Sequence, residues 1–407
     1  MLLLVLTKQT ITTSTMKNQL KFLLPLLSIL LFSCNKDDEG NTDTTYPAAE
    51  SLFAGVIDFS ALPNYANQVI PNYIDKDNTD GNPITDEGAT LGRILFYDKN
   101  LSVNNTIACG SCHKQQSAFG DNETSSTGVN GSTGRHSMRL INARFADEEN
   151  FFWDERANSL EEQTTQPIQD HAEMGYSGQN GDPGITDLIT KLEALDHYPE
   201  LFTMAFGDDA ITESRMQLAL AQFIRSIQSF DSKFDTGLMT TGDQRVAFGN
   251  FTAAENRGKN LFFAPPAFTN GQRTGGGSNC AVCHRGPEFD IAPNSRNNGV
   301  TTTINPDLTE DFDNTRSPSL RDIFDAQGSL NGGLMHDASF STIEAVIEHY
   351  NDIGVNNPNL DNRLRPQGMP QSLNLTAQEI SDLSAFLRTL SGTNVYTDSK
   401  WSDPFTG

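Results

Sequence analysis

Basic residues are scarce in this chain: 28 lysines and arginines stand against 52 aspartates and glutamates, a formal net charge of −24. The only charges before Cys34 are Lys8, Lys17 and Lys21, so the chain from Cys34 onward carries −27 (−24 less +3). A surface of that sign repels phosphate backbones, which argues against a nucleic-acid partner. It fits a basic partner protein or simply a solvated acidic surface. Strand-like alternation is sparse, which argues against a sheet protein. Tryptophan occurs twice and cysteine five times in 407 residues. Hydrophobic content of 36% and charged content of 20% nevertheless suit a folded globular protein, and the length allows two domains.

Long apolar runs are also lacking, apart from one near the start. From Met16 the chain reads "MKNQLKFLLPLLSILLFSC", two lysines and an apolar run ending in Leu31-Phe32-Ser33-Cys34. The run is too short and too N-terminal for a spanning helix. It reads as a secretory signal and resembles that of bacterial lipoproteins, which implies cleavage before Cys34 and lipidation of its sulfur. Residues 1–33 are then the signal peptide, with the true start at Met16, and 34–50 a polar tether. The expected location is outside the inner membrane, lipid-anchored to a bacterial outer membrane and facing periplasm or cell surface. Membrane contact comes only through that anchor.

The other four cysteines fall in "CGSCH" (Cys109, Cys112, His113) and "CAVCH" (Cys280, Cys283, His284). Zinc, a thioredoxin-like redox pair or two small disulfides are rival uses of such pairs. Each pair carries its own histidine, however, the pairs lie 171 residues apart, and the chain is read as exported. Cys-x-x-Cys-His is the c-type haem attachment pattern, in which two thioethers hold the porphyrin and the histidine ligates iron. Two covalently bound haems c are expected.

The surroundings repeat. "GRILF" (Gly92–Phe96) precedes Cys109 by 17 residues and "GKNLF" (Gly258–Phe262) precedes Cys280 by 22, the difference fitting the insert "NGQRTGGGSN". Thr252 and Glu255 form a capping box before the second. Met216, Leu220, Phe223, Ile227 and Phe230 keep a helical spacing, as do Ile380, Leu383, Leu387 and Leu390 after a Thr376–Glu379 box. The pattern predicts an all-α chain with two cytochrome c-like haem domains in tandem, 51–240 and 241–407, with "GLMTTGDQ" (237–244) as the linker. In "TIEAVIEHY" Ile343, Val346, Ile347 and Tyr350 share one helix face, which aims Tyr350 inward and turns His349 about 100° away. A core tyrosine is the plainer use of that position, and Met335 and Met369 are rival ligands for the second iron.

One further stretch, "FFWDERANSLEEQTTQPIQDHAEMG" (151–175), places Trp153, Gln163, Pro167 and Glu173 on a short segment. Together with the two CxxCH units, "SPSLRDIF" and "MHDASF" followed by the Tyr350 helix, it resembles the bacterial di-haem cytochrome c peroxidase family, including its MauG-type relatives. The likeness runs from about Asp86 to Gly392. It implies that Trp153 relays electrons between the haems, that Gln163 and Glu173 line the peroxide pocket of the N-terminal haem, and that Tyr350 ligates the second iron in the MauG manner. A carboxylate near iron can take a proton from one peroxide oxygen and return it to the other, whereas an amide only orients. Many relatives carry a distal histidine on the N-terminal haem. Here that position falls near Gly128, and His136 aligns instead with an asparagine that helps to hold calcium in relatives. The expectation is a five-coordinate N-terminal haem, no iron bond from His136, and doubtful calcium. His171 is read as a surface histidine.

The resemblance implies an oxidoreductase that reduces hydrogen peroxide to water with electrons from a donor protein. The alternative is a MauG-type enzyme that oxidises side chains of a partner protein. A non-enzymatic di-haem electron-transfer lipoprotein is the rival from another class, and a homodimer is left open.

Overall fold

The computed structural model describes residues 45–405, apart from 317, 355 and 356. Cys34, its signal and most of the tether lie outside the described residues. The described residues from Tyr46 onward form one compact unit. Among the described residues no helix is long and apolar enough to cross a membrane.

The duplicated sequence is duplicated in packing. Helix Asp86–Tyr97, capped by Thr85, crosses helix Glu213–Ser226, capped by Thr212. Helix Ala253–Phe263 crosses helix Ala377–Leu387 in the same way, each opened by the predicted capping box. At both crossings a glycine lets the backbones touch. A Cβ at Gly92 would fall 2.0 Å from the Ala219 carbonyl oxygen, and one at Gly258 only 1.9 Å from that of Asp382. Four residues on from each contact comes a phenylalanine. Phe96 meets Phe223 at 5.1 Å and Phe262 meets Phe386 at 5.2 Å, both pairs inclined by 58°. Each G-basic-x-Leu-Phe motif is therefore one helix contact plus one aromatic anchor, written twice.

The prediction of an all-α chain is too simple. Pro266–Thr269 and Gln272–Gly276 pair antiparallel, and His284–Arg285 pairs with Asp290–Ile291. The Gly-rich insert supplies the turn and second strand of the first pair, a hairpin whose Gln272 also bridges to Ser372. The regular structure is mainly helical, with two haem-type domains in tandem and these two small sheets. Residues 237–241 of the predicted linker belong to helix Lys233–Thr241. Helix Glu213–Ser226 stops before Ile227, whose backbone is already extended, and Phe230 lies beyond it outside any helix.

There are two main cores, and chain order does not divide them cleanly. Tyr73 packs against the second core and donates to Asp235 at 2.7 Å. Asp235 in turn forms a fully buried two-pronged pair with Arg321, at 2.8 and 2.9 Å. Val395 and Trp401 belong to the first core, where the Trp401 indole donates to Ser226 and Arg93 donates to the Ser402 carbonyl.

Candidate haem and peroxide site

A cavity of about 480 Å³ opens beside the first CxxCH unit and is lined by Cys109, Cys112 and His113. Both thiols are free, as are Cys280 and Cys283, so neither pair is a disulfide. Among the described residues no three His, Cys, Asp or Glu side chains gather as an ion-holding group, so the two pairs do not build a joint zinc site. His113 Nδ1 lies 3.0 Å from the Phe119 carbonyl, and burial holds its pKa down. A neutral imidazole donating through Nδ1 leaves Nε2 as the metal-binding nitrogen, the usual arrangement behind a ligating histidine. Phe119 sits at φ +59° and packs 6.1 Å from Phe96, which ties the acceptor to the helix motif.

Gln163, Pro167, Glu173 and Trp153 line the same cavity. Gln163 stands in helix Leu160–Thr165, started by the Ser159 cap. Glu173 is held through its backbone: its N–H donates to Asp170 and its carbonyl accepts from Val129. Burial first, and then the Asp170 charge, push its carboxyl up to about 7, with Arg156 pulling the other way. A second cavity of about 310 Å³ is lined by Arg156, Gln166, Pro167, Gln169, Asp170 and Glu173. It shares four of those residues with the first, so Glu173 stands where a polar approach meets the larger chamber.

Trp153 joins the two halves of the chain. Its indole donates to the His136 carbonyl at 2.7 Å, and its own carbonyl accepts from Thr315 and Arg316. Its ring meets His336 edge-on at 6.2 Å. His136 lines the cavity, but its Nδ1 lies 2.9 Å from the Glu123 carbonyl. At Gly128 a Cβ would fall 2.1 Å from the Ala172 carbonyl oxygen, so the loop accepts no side chain there. His171 is exposed and pairs with Asp182 at 2.6 Å, outside the cavity lining.

The second unit repeats the first around His284. Phe289, at φ +59°, packs 5.6 Å from Phe262. Burial lowers the His284 pKa to about 4, partly offset by the Phe289 backbone, although Nδ1 itself is buried and outside hydrogen-bonding geometry. Tyr350 comes to this unit: burial raises its pKa, the nearby Cys283 and Cys280 add to the rise, and Asn298 opposes it. Asn298 also donates to Met335 Sδ at 3.3 Å, and its carbonyl accepts from His349 Nε2 at 2.9 Å. His349 is thereby committed elsewhere, while Met369 is 52% exposed. Sequence reasoning missed Asn298 and Arg156, which reach these sites from segments without periodic pattern.

Thiol pairs each followed by a histidine whose pKa burial holds down, one pair opening on a chamber of this size, fit covalently held porphyrins. The comparisons agree. Residues 86–244 match the di-haem cytochrome c peroxidase family and 257–391 match cytochrome c. The methylamine utilization protein MauG of Methylophilus methylotrophus is 30% identical over 318 residues, which span 76% of this chain and 84% of that protein. The chain belongs to the di-haem cytochrome c peroxidase family. A further relative, cytochrome c551 peroxidase of Nitrosomonas europaea, is 29% identical over 75% of this chain and 80% of its own. The crystal structure of a MauG-like protein associated with microbial copper homeostasis superposes with a TM-score of 0.62 at 28% identity, covering 83% of this chain and 99% of that one. This di-haem peroxidase is thus an oxidoreductase with two covalently bound c-type haems.

Proposed function

We propose that the protein reduces hydrogen peroxide to water, taking two electrons from a donor protein and two protons from solvent for each peroxide. The observation that carries this reading is Glu173: a carboxyl poised near neutrality, in the same cavity as His113 and at the end of a polar approach. Cys109 and Cys112 with His113, and Cys280 and Cys283 with His284 and Tyr350, would hold the two haems. When bound, the haem at His113 supplies a redox-active Lewis acid for cleavage of the O–O bond. Glu173 takes the proton from one peroxide oxygen and returns it to the other, which a group titrating near 7 does in both directions. The Gln163 amide orients the oxygens, and Trp153 offers an indole path toward the second unit.

The closed packing at Gly128 supports an N-terminal iron with no protein ligand from that loop. Tyr350 beside Cys280 and Cys283 favours a second reading, the oxidation of side chains on a partner protein, because an anionic oxygen ligand stabilises higher iron oxidation states. Peroxide consumption coupled to a reduced small electron-carrier protein supports the first reading. Peroxide-dependent cross-links or oxidised residues on a partner, without carrier oxidation, support the second. No peroxide turnover by the holoprotein with either sinks both and leaves an electron-transfer lipoprotein. The reading includes export and tethering through Cys34.

A further inference from the structure

Four arginines line the larger cavity, and three of them have carboxylate partners. Arg135 pairs with Asp154 and Asp311, Arg156 with Asp154, and Arg316 with Asp290. Arg139 has none within ion-pair distance among the described residues. Its one hydrogen bond goes to the Ser319 carbonyl at 3.1 Å, and its Nε is buried without a partner. Its stem packs close to Gly120, where a Cβ would meet Arg139 Cγ at 2.9 Å. Gly120 follows Phe119, whose carbonyl faces His113, so this cation stands on the histidine's own loop. Burial disfavours its charge, and only the more remote Tyr396 and Asp322 oppose that. Asp322 is itself engaged by Gly392 and Tyr396.

A guanidinium in a cavity wall, half-buried with its Nε enclosed and one carbonyl as partner, is unfavourably placed unless an anion completes it. Its fork of donors matches a carboxylate. The porphyrin of the family's c-type haem carries two carboxylates, the propionates. We infer that Arg139 is the counter-cation of a propionate of the haem held at His113, and that it raises that haem's reduction potential. The inference rests on the family assignment and its haems, not on the peroxidase reading, so a failure of peroxide turnover leaves it standing.

The test is a reductive titration of the holoprotein, followed by EPR for each haem separately, together with the propionate bending band in resonance Raman. In Arg139→Gln the His113 haem should shift about tenfold toward the ferric form, about 59 mV for one electron. Its propionate band should move as well, while the His284 haem stays unchanged as the internal control. Arg139→Lys, which keeps the charge but not the fork, should hold the potential and still move the band. An Arg139→Gln holoprotein with wild-type potential and band overturns the inference. If that variant yields no holoprotein, the band of Arg139→Lys decides: moved supports the propionate contact, unmoved overturns it.

Discussion

Replacing Glu173 by Gln removes a proton carrier while keeping its shape. In the folded chain this carboxyl titrates at about 7, against a reference of 4.5. Below about pH 7 it therefore holds its proton, and above that it can accept one from peroxide. First-turnover rates of the holoprotein with hydrogen peroxide, followed by stopped-flow absorption, should rise through neutrality in the wild type. The Gln variant should be slower by about 10²–10⁴, the range for a positioned acid–base group. That loss corresponds to about 3–5 kcal/mol of barrier. Its profile should also lose the neutral inflection. Stability supplies an independent check. Between pH 4.5 and 7 the folded state keeps a proton that the unfolded chain releases, so wild-type stability falls as pH rises through that window. At 1.36 kcal/mol per unit the loss is about 3 kcal/mol, and it should be absent in the variant. A Glu173→Gln enzyme within about threefold of wild type and with an unchanged inflection would refute the assignment.

Tyr350→Phe should alter the absorption of the second haem and raise its potential, because an anionic ligand is lost; an unchanged spectrum and potential would remove Tyr350 from the iron. EPR of the ferric holoprotein should show a high-spin component from the His113 haem, and a wholly low-spin spectrum contradicts the reading of the Gly128 loop. Asp235→Asn leaves Arg321 buried and unpaired and should cost about 3–5 kcal/mol in denaturant unfolding, with a loss below about 1 kcal/mol counting against the pair's role. Gly258→Ala drives a methyl into the Asp382 carbonyl and should cost about 1–3 kcal/mol by the same measurement, whereas a neutral result would mean the helices separate freely.

The helices were legible where a capping threonine precedes an apolar stripe, as at Thr252 and Thr376, but their pairing through Gly92 and Gly258 was not, because a glycine contact shows only once the partner helix is in place. The CxxCH units were legible because the attachment chemistry fixes both residue type and spacing. Trp153, Gln163 and Glu173 were legible only through resemblance, and the structure gathers them into one cavity. The hairpin was missed because "NGQRTGGG" is half glycine and offers one β-branched residue, Thr274, while its Gln272 also bridges to the distant Ser372. Arg139 and Asn298 escaped notice because loops carry no period from which inward orientation can be read. The end of helix Glu213–Ser226 was overrun because Ile227 and Phe230 keep the apolar spacing after the backbone has turned extended.

Trp401 and Val395 complete the first core from the far end of the chain. A polypeptide delivered N-terminus first would therefore present an unfinished first lobe until nearly all of it had appeared. The CGSCH thiols would remain accessible to the attachment machinery throughout that interval. Closure of the first lobe would then follow, rather than precede, the appearance of the second haem-binding unit.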